Sequence, residues 1–232
     1  MLLDHTPSPE LSPLAIGEDI SPLPTIRSAG TTEVDFSGLL TKPLRLHEDL
    51  AQGCGGQLWP AGMTLARHML RLELGAGGGL VGLAIAKGCA ADGPLYVTDQ
   101  AEMFPLMEHN IALNDLSSRV KAAVLSWGKP LPREIVDLRA DVILAADCVY
   151  FEPAFPLLMA TLTDLLTLCP SATIFFCFKK RRRADMQFLK KAQKTFRVVE
   201  IEDEDRHAFS RQGLFLYTFS SKAQHKQLSE TK

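Results

Sequence analysis

The sequence lacks the features that would commit it to a membrane, a nucleic acid or a metal. No stretch of its 232 residues reaches about 18 uninterrupted apolar side chains, the length that a spanning helix needs. The start, Met1 to Leu14, carries an early acid and several prolines where a leader would carry a basic and then an apolar segment. No membrane partner is therefore expected. Charge of one sign is also missing: 25 Lys plus Arg face 27 Asp plus Glu, so a net charge of −2 gives no whole-protein pull toward nucleic acid. Aromatic residues make up 7% of the chain and do not interleave with its basic run, which removes the base-stacking pattern of RNA binders. The five cysteines (54, 89, 148, 169 and 177) are odd in number and far apart, which excludes a disulfide framework and a metal-ligand spacing. Reduced thiols in the cytosol or nucleus follow, with no metal site among six singly scattered histidines.

What is present is a core. With 46% hydrophobic residues and a mean hydropathy of +0.04, the chain suits one α/β domain plus tails. Residues 1–32 hold five prolines (7, 9, 13, 22 and 24) among Ser, Thr and Glu and read as a disordered tail, with residues 222–232 as a second. Between them, residues 33–221 form the domain. Val34, Phe36, Leu44 and Leu46 alternate with polar residues and predict a hairpin ahead of the main sheet. Strands are expected at Leu70–Leu74, Leu95–Thr98, Val120–Val124, Asp141–Ala146, Thr173–Phe178, Arg197–Ile201 and Leu214–Ser220, with helices between them. The alternation predicts a doubly wound, mostly parallel seven-stranded sheet with an N-terminal hairpin extension. One junction conflicts: helical Ala61–Met69 runs straight into Leu70 without the usual loop of about 2–6 residues. That helix must fray, or the first strand must lose its amino end.

Leu70 to Gly82 carries the strongest local signal, a strand, a glycine bend and a helix start. Gly75, Gly77 and Gly79, with Ala76 between, let backbone approach a nucleotide-like ligand. The shifted frame Gly77–Gly82 also fits a dinucleotide pattern. Glu73 before the bend disfavours a pyrophosphate and favours a cationic head such as that of S-adenosylmethionine. Asp99, at the end of the second strand and 20 residues beyond Gly79, is placed to accept two ribose hydroxyls. Trp127 follows the third strand and offers a flat face to an adenine ring. Asp147-Cys148-Val149-Tyr150-Phe151 follows the most apolar strand and puts a polar cluster beside the reactive end of such a ligand. The basic run Lys179–Arg183 reads as a solvated helix start, and Glu202–Asp205 as a solvated acidic turn.

Glu73-Leu-Gly-Ala-Gly, Leu125-Ser-Trp-Gly and Asp147-Cys-Val-Tyr150 together resemble the seven-strand methyltransferases that modify lysines on non-histone proteins. Gly55-Gly-Gln-Leu-Trp59-Pro resembles their entry segment, whose tryptophan lies near the methyl donor. With Leu46-His-Glu-Asp-Leu-Ala-Gln-Gly and Phe178-Lys-Lys-Arg-Arg-Arg, the chain is most similar to the fungal branch that methylates translation elongation factor 1-alpha. The resemblance implies a protein-lysine N-methyltransferase that uses S-adenosylmethionine, works as a monomer and sits in the cytoplasm, with the nucleus as a second location. It assigns Trp59, Glu73, Gly75, Ala76, Gly77, Gly79, Asp99, Trp127 and Asp147 to cofactor binding, and Asp147 and Tyr150 to catalysis. Asp147 by itself would stabilise a lysine ammonium, so its implied role is orientation and not strong-base chemistry, while Tyr150 and Phe151 flank the lysine stem. A small-molecule methyltransferase and a non-catalytic binder of the same fold are the alternatives.

Overall fold

The structure, a computed structural model, describes residues 29–49, 58–71, 79–89 and 95–223. Strands β1 (Gly30–Val34) and β2 (Leu44–Glu48) pair antiparallel, from Gly30 opposite Glu48 to Val34 opposite Leu44. A tail boundary after residue 32, drawn from proline content, therefore falls inside a strand. Phe36, Ser37 and Gly38 all have positive φ, and this left-handed run reverses the chain. Phe36 leaves the strand pattern there and drops from the turn into the core.

Helix α1 (Pro60–Arg71) buries Leu65, Ala66 and Met69 along one face. It includes Leu70 and Arg71, which the sequence assigned to a strand. No glycine, proline or capping residue separates Met69 from Leu70, so helical hydrogen bonding continues through them. The expected first strand loses its amino end; its remainder, with Glu73, and the loop residues Gly75, Ala76 and Gly77 lie outside the described residues. Helix α2 (Gly79–Gly88) opens on Gly79 and packs on α1.

Two parallel ladders follow. In the first, β3 (Leu95–Asp99) pairs with β4 (Val120–Val124), and α3 (Phe104–Leu113) makes the crossover that a parallel pair requires. In the second, β5 (Val142–Ala146) pairs with β6 (Thr173–Lys179) across α5 (Phe155–Leu168), after the short helix α4 (Arg133–Leu138). Helix α6 (Arg183–Thr195) leads to β7 (Arg197–Glu200), α7 (Arg206–Arg211) and β8 (Leu214–Ser220). β8 lies antiparallel between β6 and β7, giving the order β5-β6-β8-β7. The chain is α/β. Stacked Phe176, Phe188, Phe219 and Phe196 fill the core beneath the four-stranded ladder, with ring centroids 4.8–5.9 Å apart.

Two polar ties hold outlying segments to this body. Asn110 in α3 and Asn114 at its end each pair with the β2 backbone as a neighbouring strand would. The His47 and Arg45 N–H groups donate to their amide oxygens at 2.7 Å, and the amide nitrogens donate back to His47 O and Arg45 O. Across the fold, His68 of α1 meets Asp203 at 2.5 Å between Nδ1 and Oδ2, each side chain 7% exposed. The Glu202–Asp205 stretch is therefore not the fully solvated turn that its composition suggests.

Candidate active site

Asp147 follows β5 directly, where the carboxyl ends of parallel strands open toward ligand in doubly wound sheets. Its N–H donates to Cys177 O at 2.8 Å, which extends the β5–β6 ladder by one residue. The backbone then turns into the left-handed region, φ +56°, a conformation that aspartate tolerates better than most side chains. The turn sends the carboxylate toward the end of β6, where the Lys179 N–H donates to Oδ1 at 3.2 Å. Arg181 completes the arrangement with a two-pronged bond, Nη1 to Oδ1 at 2.8 Å and Nη2 to Oδ2 at 2.7 Å. The aspartate side chain is 5% exposed and the arginine 17%. This corrects the solvated reading of Lys179–Arg183. Hydrogen bonding to Asp147 pushes the Arg181 guanidinium above its ordinary value, so it stays charged.

Arg181 also brings in Trp59, whose ring centroid lies 5.5 Å from the guanidinium carbon. Arg182 braces the other side. Its Nη2 donates to Tyr150 O at 2.7 Å and to Asp185 Oδ1 at 3.1 Å. Asp185, fully buried in the first turn of α6, accepts the N–H groups of both Arg181 and Arg182 at 2.7 and 2.9 Å. The loop after β5 is thus tied to the loop after β6 through three side chains to which the sequence reading gave no site role. The signal was present: in Arg182-Arg183-Ala184-Asp185 the acid falls at the third helical position, a capping arrangement. Tyr150 and Phe151, 42% and 46% exposed, form an aromatic rim just beyond.

At the end of β3, Asp99 is half-buried and accepts the Gln100 N–H at 2.7 Å. Burial raises its carboxyl above the ordinary value of 3.8, and the Gln100 bond opposes part of that rise. Asp99 O accepts the Leu125 N–H at 2.9 Å, which links this residue to the Leu125–Gly128 turn after β4. Half-buried Trp127 packs between the aromatic core and a smaller cluster around Leu125 and Ile135. Gly128 has φ +74°, donates its N–H to Thr161 Oγ1 at 2.9 Å, and sits so close to Leu157 that a Cβ would fall 2.6 Å from Leu157 Cδ2. Cys148 feels both aspartates; burial first, then Asp147 and Asp99, push its thiol up to about 12.

The structure thus joins Trp59, Asp147 and Tyr150 through Arg181 and Arg182, and joins Asp99 to the Trp127 turn. Glu73, Gly75, Ala76 and Gly77 lie outside the described residues, and Gly79 is the first residue of α2. An open depression of about 540 Å³, lined by Glu33, Asp35, Phe36, Met63 and Arg67 among others, lies beside the β1–β2 pair and contains none of these site residues. No helix among the described residues is long and apolar enough to cross a membrane.

A family model described as lysine methyltransferase matches residues 39–195. "Protein-lysine N-methyltransferase EFM6" of Saccharomyces cerevisiae is 39% identical over 206 residues, covering 75% of this chain and 84% of that protein. "EEF1A lysine methyltransferase 3" of Mus musculus is 31% identical over 140 residues, covering 56% and 57%. "Protein N-lysine methyltransferase METTL21A" of Danio rerio is 28% identical over 201 residues, covering 79% and 87%. Among solved structures, the "delta-N METTL16 MTase domain" has a TM-score of 0.48 at 15% identity, covering 71% of this chain and 84% of that one.

Proposed function

This chain belongs to the lysine methyltransferase family, enzymes that move a methyl group from S-adenosylmethionine to lysine, and on that premise we propose that it methylates a lysine of translation elongation factor 1-alpha. The observation that carries the reading is the Asp147 carboxylate, held by Arg181 at the end of β5 beside the exposed rings of Tyr150 and Phe151. The residues present fit the methyl donor: an acceptor carboxylate for ribose at Asp99, an indole after β4 for the adenine, and at Asp147 one carboxylate acceptor position remaining among the described residues, beside the transfer end. The doubly wound seven-stranded sheet belongs to the same reading, as does the methyltransferase domain, whose amino boundary moves from residue 33 to the start of β1 at Gly30. The sheet's six described strands are β3–β4 and β5–β6–β8–β7, and the segment offered for the seventh lies outside the described residues.

When bound, S-adenosylmethionine supplies a methyl carbon on a positively charged sulfur, which leaves as a neutral thioether when the lysine nitrogen takes the carbon. This chain's residues align and shelter that exchange. Losing the lysine proton near neutral pH costs about 4 kcal/mol from a reference pKa near 10.4, so the site must accept a neutral amine. Asp147 directs an amine N–H with an acceptor lone pair and leaves the nitrogen lone pair to face the methyl carbon. Tyr150 and Phe151 flank the lysine stem and tolerate the growing positive charge on nitrogen. On this reading the enzyme is a cytoplasmic monomer whose partner is the elongation factor.

The test is incubation with radiolabelled S-adenosylmethionine and a lysate from cells lacking this protein, with purified elongation factor 1-alpha in parallel. Label on a lysine of the elongation factor is expected. Label on another protein would overturn the substrate alone, and label confined to small molecules would overturn protein-lysine transfer.

A further inference from the structure

The Asp147 carboxylate poses a problem that the rest of the site resolves. A bare buried carboxylate would hold the incoming lysine as ammonium, the form with no lone pair to give. In the structure it is not bare. Arg181 occupies one lone pair on each oxygen, and the Lys179 N–H takes a second on Oδ1. Of the roughly four acceptor positions that a carboxylate offers, one on Oδ2 remains among the described residues. That is room for a single amine N–H, beside a carboxylate whose charge is already offset.

We propose that Arg181 is a positioning residue that sets the protonation state of the substrate lysine, by neutralising Asp147 while holding its remaining lone pair in place. The inference rests on the lysine-methylating function proposed above. Three elements fix the arginine for this task. Its backbone N–H is bound by Asp185, its guanidinium by Asp147, and its flat face by Trp59, which follows from the entry to α1. A planar fork supported on a ring is a geometry that a lysine at the same position cannot reproduce.

The neighbouring charges leave the Asp147–Arg181 pair in control. Asp185 is offset by Arg182, whose other bonds go to Val149 O and Tyr150 O. Cys148 and Cys177 are both pushed upward, by burial first and Asp147 next, so both stay neutral thiols. Lys179, half-buried at the end of β6, faces Asp147 through its backbone. Asp99 belongs to the other ladder and is the remaining carboxylate felt at Cys148.

The experiment follows methyl transfer against pH for wild type, Arg181→Met, Arg181→Gln and Arg181→Lys. Its substrate is the protein labelled by wild type in the lysate assay. Without the guanidinium, Asp147 favours the ammonium, so the acid-side midpoint of kcat, which reports the bound lysine, moves up by about one pH unit or more in Arg181→Met. The rate should fall about tenfold near pH 7.5 and recover at higher pH, as expected for that shift. Arg181→Gln keeps a donor without the charge and should show the same rise. Arg181→Lys keeps the charge without the fork, and its midpoint should stay near wild type with a reduced rate. Thermal melting and S-adenosylmethionine affinity check that each variant is folded. A folded, donor-binding Arg181→Met or Arg181→Gln with an unmoved midpoint overturns the inference and leaves lysine methylation standing. No lysine labelling by wild type defeats the proposed function and this inference with it.

Discussion

Asp99 and Asp147 stand at the carboxyl ends of strands in two separate parallel ladders, β3 and β5, yet the chain satisfies them in opposite ways. Asp147 accepts three N–H bonds, two of them from the Arg181 guanidinium, and is closed to solvent. Asp99 has the Gln100 N–H, is half-buried, and carries a carboxyl raised above its ordinary value by that burial. The first group is built before any ligand arrives. Among the described residues the second has a single donor, and its burial carries a cost to the free protein that an incoming pair of hydroxyls would offset. On the proposed reading, the transfer end of the site, at Asp147, is fixed in advance, while the binding end, at Asp99, keeps acceptor capacity for a ligand.

Asp147→Ala should break this comparison most severely. Removing the carboxylate leaves Arg181 charged, 17% exposed and without its ion-pair partner, which costs about 3 kcal/mol of folding stability in denaturant titration. Methyl transfer by the folded fraction should fall about a hundredfold or more, because the nucleophile loses its alignment. Full transfer by a normally folded Asp147→Ala protein would remove Asp147 from the mechanism.

A smaller effect of opposite sign on stability is expected from Asp99→Asn. The amide oxygen still accepts the Gln100 N–H, but it no longer carries a charge that burial penalises. Affinity for S-adenosylmethionine should drop about tenfold in calorimetry, the value of one charge-assisted hydrogen bond, while the free protein melts slightly higher. The pH dependence fixes the sign. Because the folded-state pKa of Asp99 is raised above 3.8, its contribution favours the fold at low pH and is lost as pH rises through that raised value. Asp99→Asn removes this slope, and a melting curve unchanged across that window would contradict the assignment.

The same contrast explains what could be read from residue order. β8 falls at Leu214–Ser220 as its apolar pattern predicts, and the run Val142–Ala146 is legible as a buried parallel strand because neighbouring residues carry the whole signal. Asp147, Tyr150 and Trp59 are recognisable for a related reason, since each lies in a short local motif. Arg181 is not. Its role depends on β5 and β6 lying side by side, and within the sequence Lys179–Arg183 has the composition of any solvated helix start. Asn110 and Asn114 likewise read as the polar face of α3, whereas both pair with β2 more than 60 residues away. Helix α1 overruns the expected strand because Met69-Leu70-Arg71 contains no breaker and β-propensity there is weak. The side-chain roles that failed were those whose meaning is set by a distant partner.

Cys148 offers the mildest and most direct measure of the difference, since it senses both carboxylates without belonging to either. With its thiol pushed up to about 12, alkylation by iodoacetamide near pH 8 should be slower than for an ordinary exposed thiol by about a thousandfold, the thiolate being that much rarer. Asp147→Asn should raise the rate about tenfold, because it removes the nearer negative charge and leaves Arg181 to stabilise the thiolate. Asp99→Asn should raise it less, since Asp99 is the weaker of the two influences and no cation is released beside the sulfur. Mass spectrometry of the Cys148 peptide reads both rates from one digest. Equal acceleration by the two variants would mean that Asp99 acts on the sulfur as strongly as Asp147, and the ranking of the two carboxylates at Cys148 would fail.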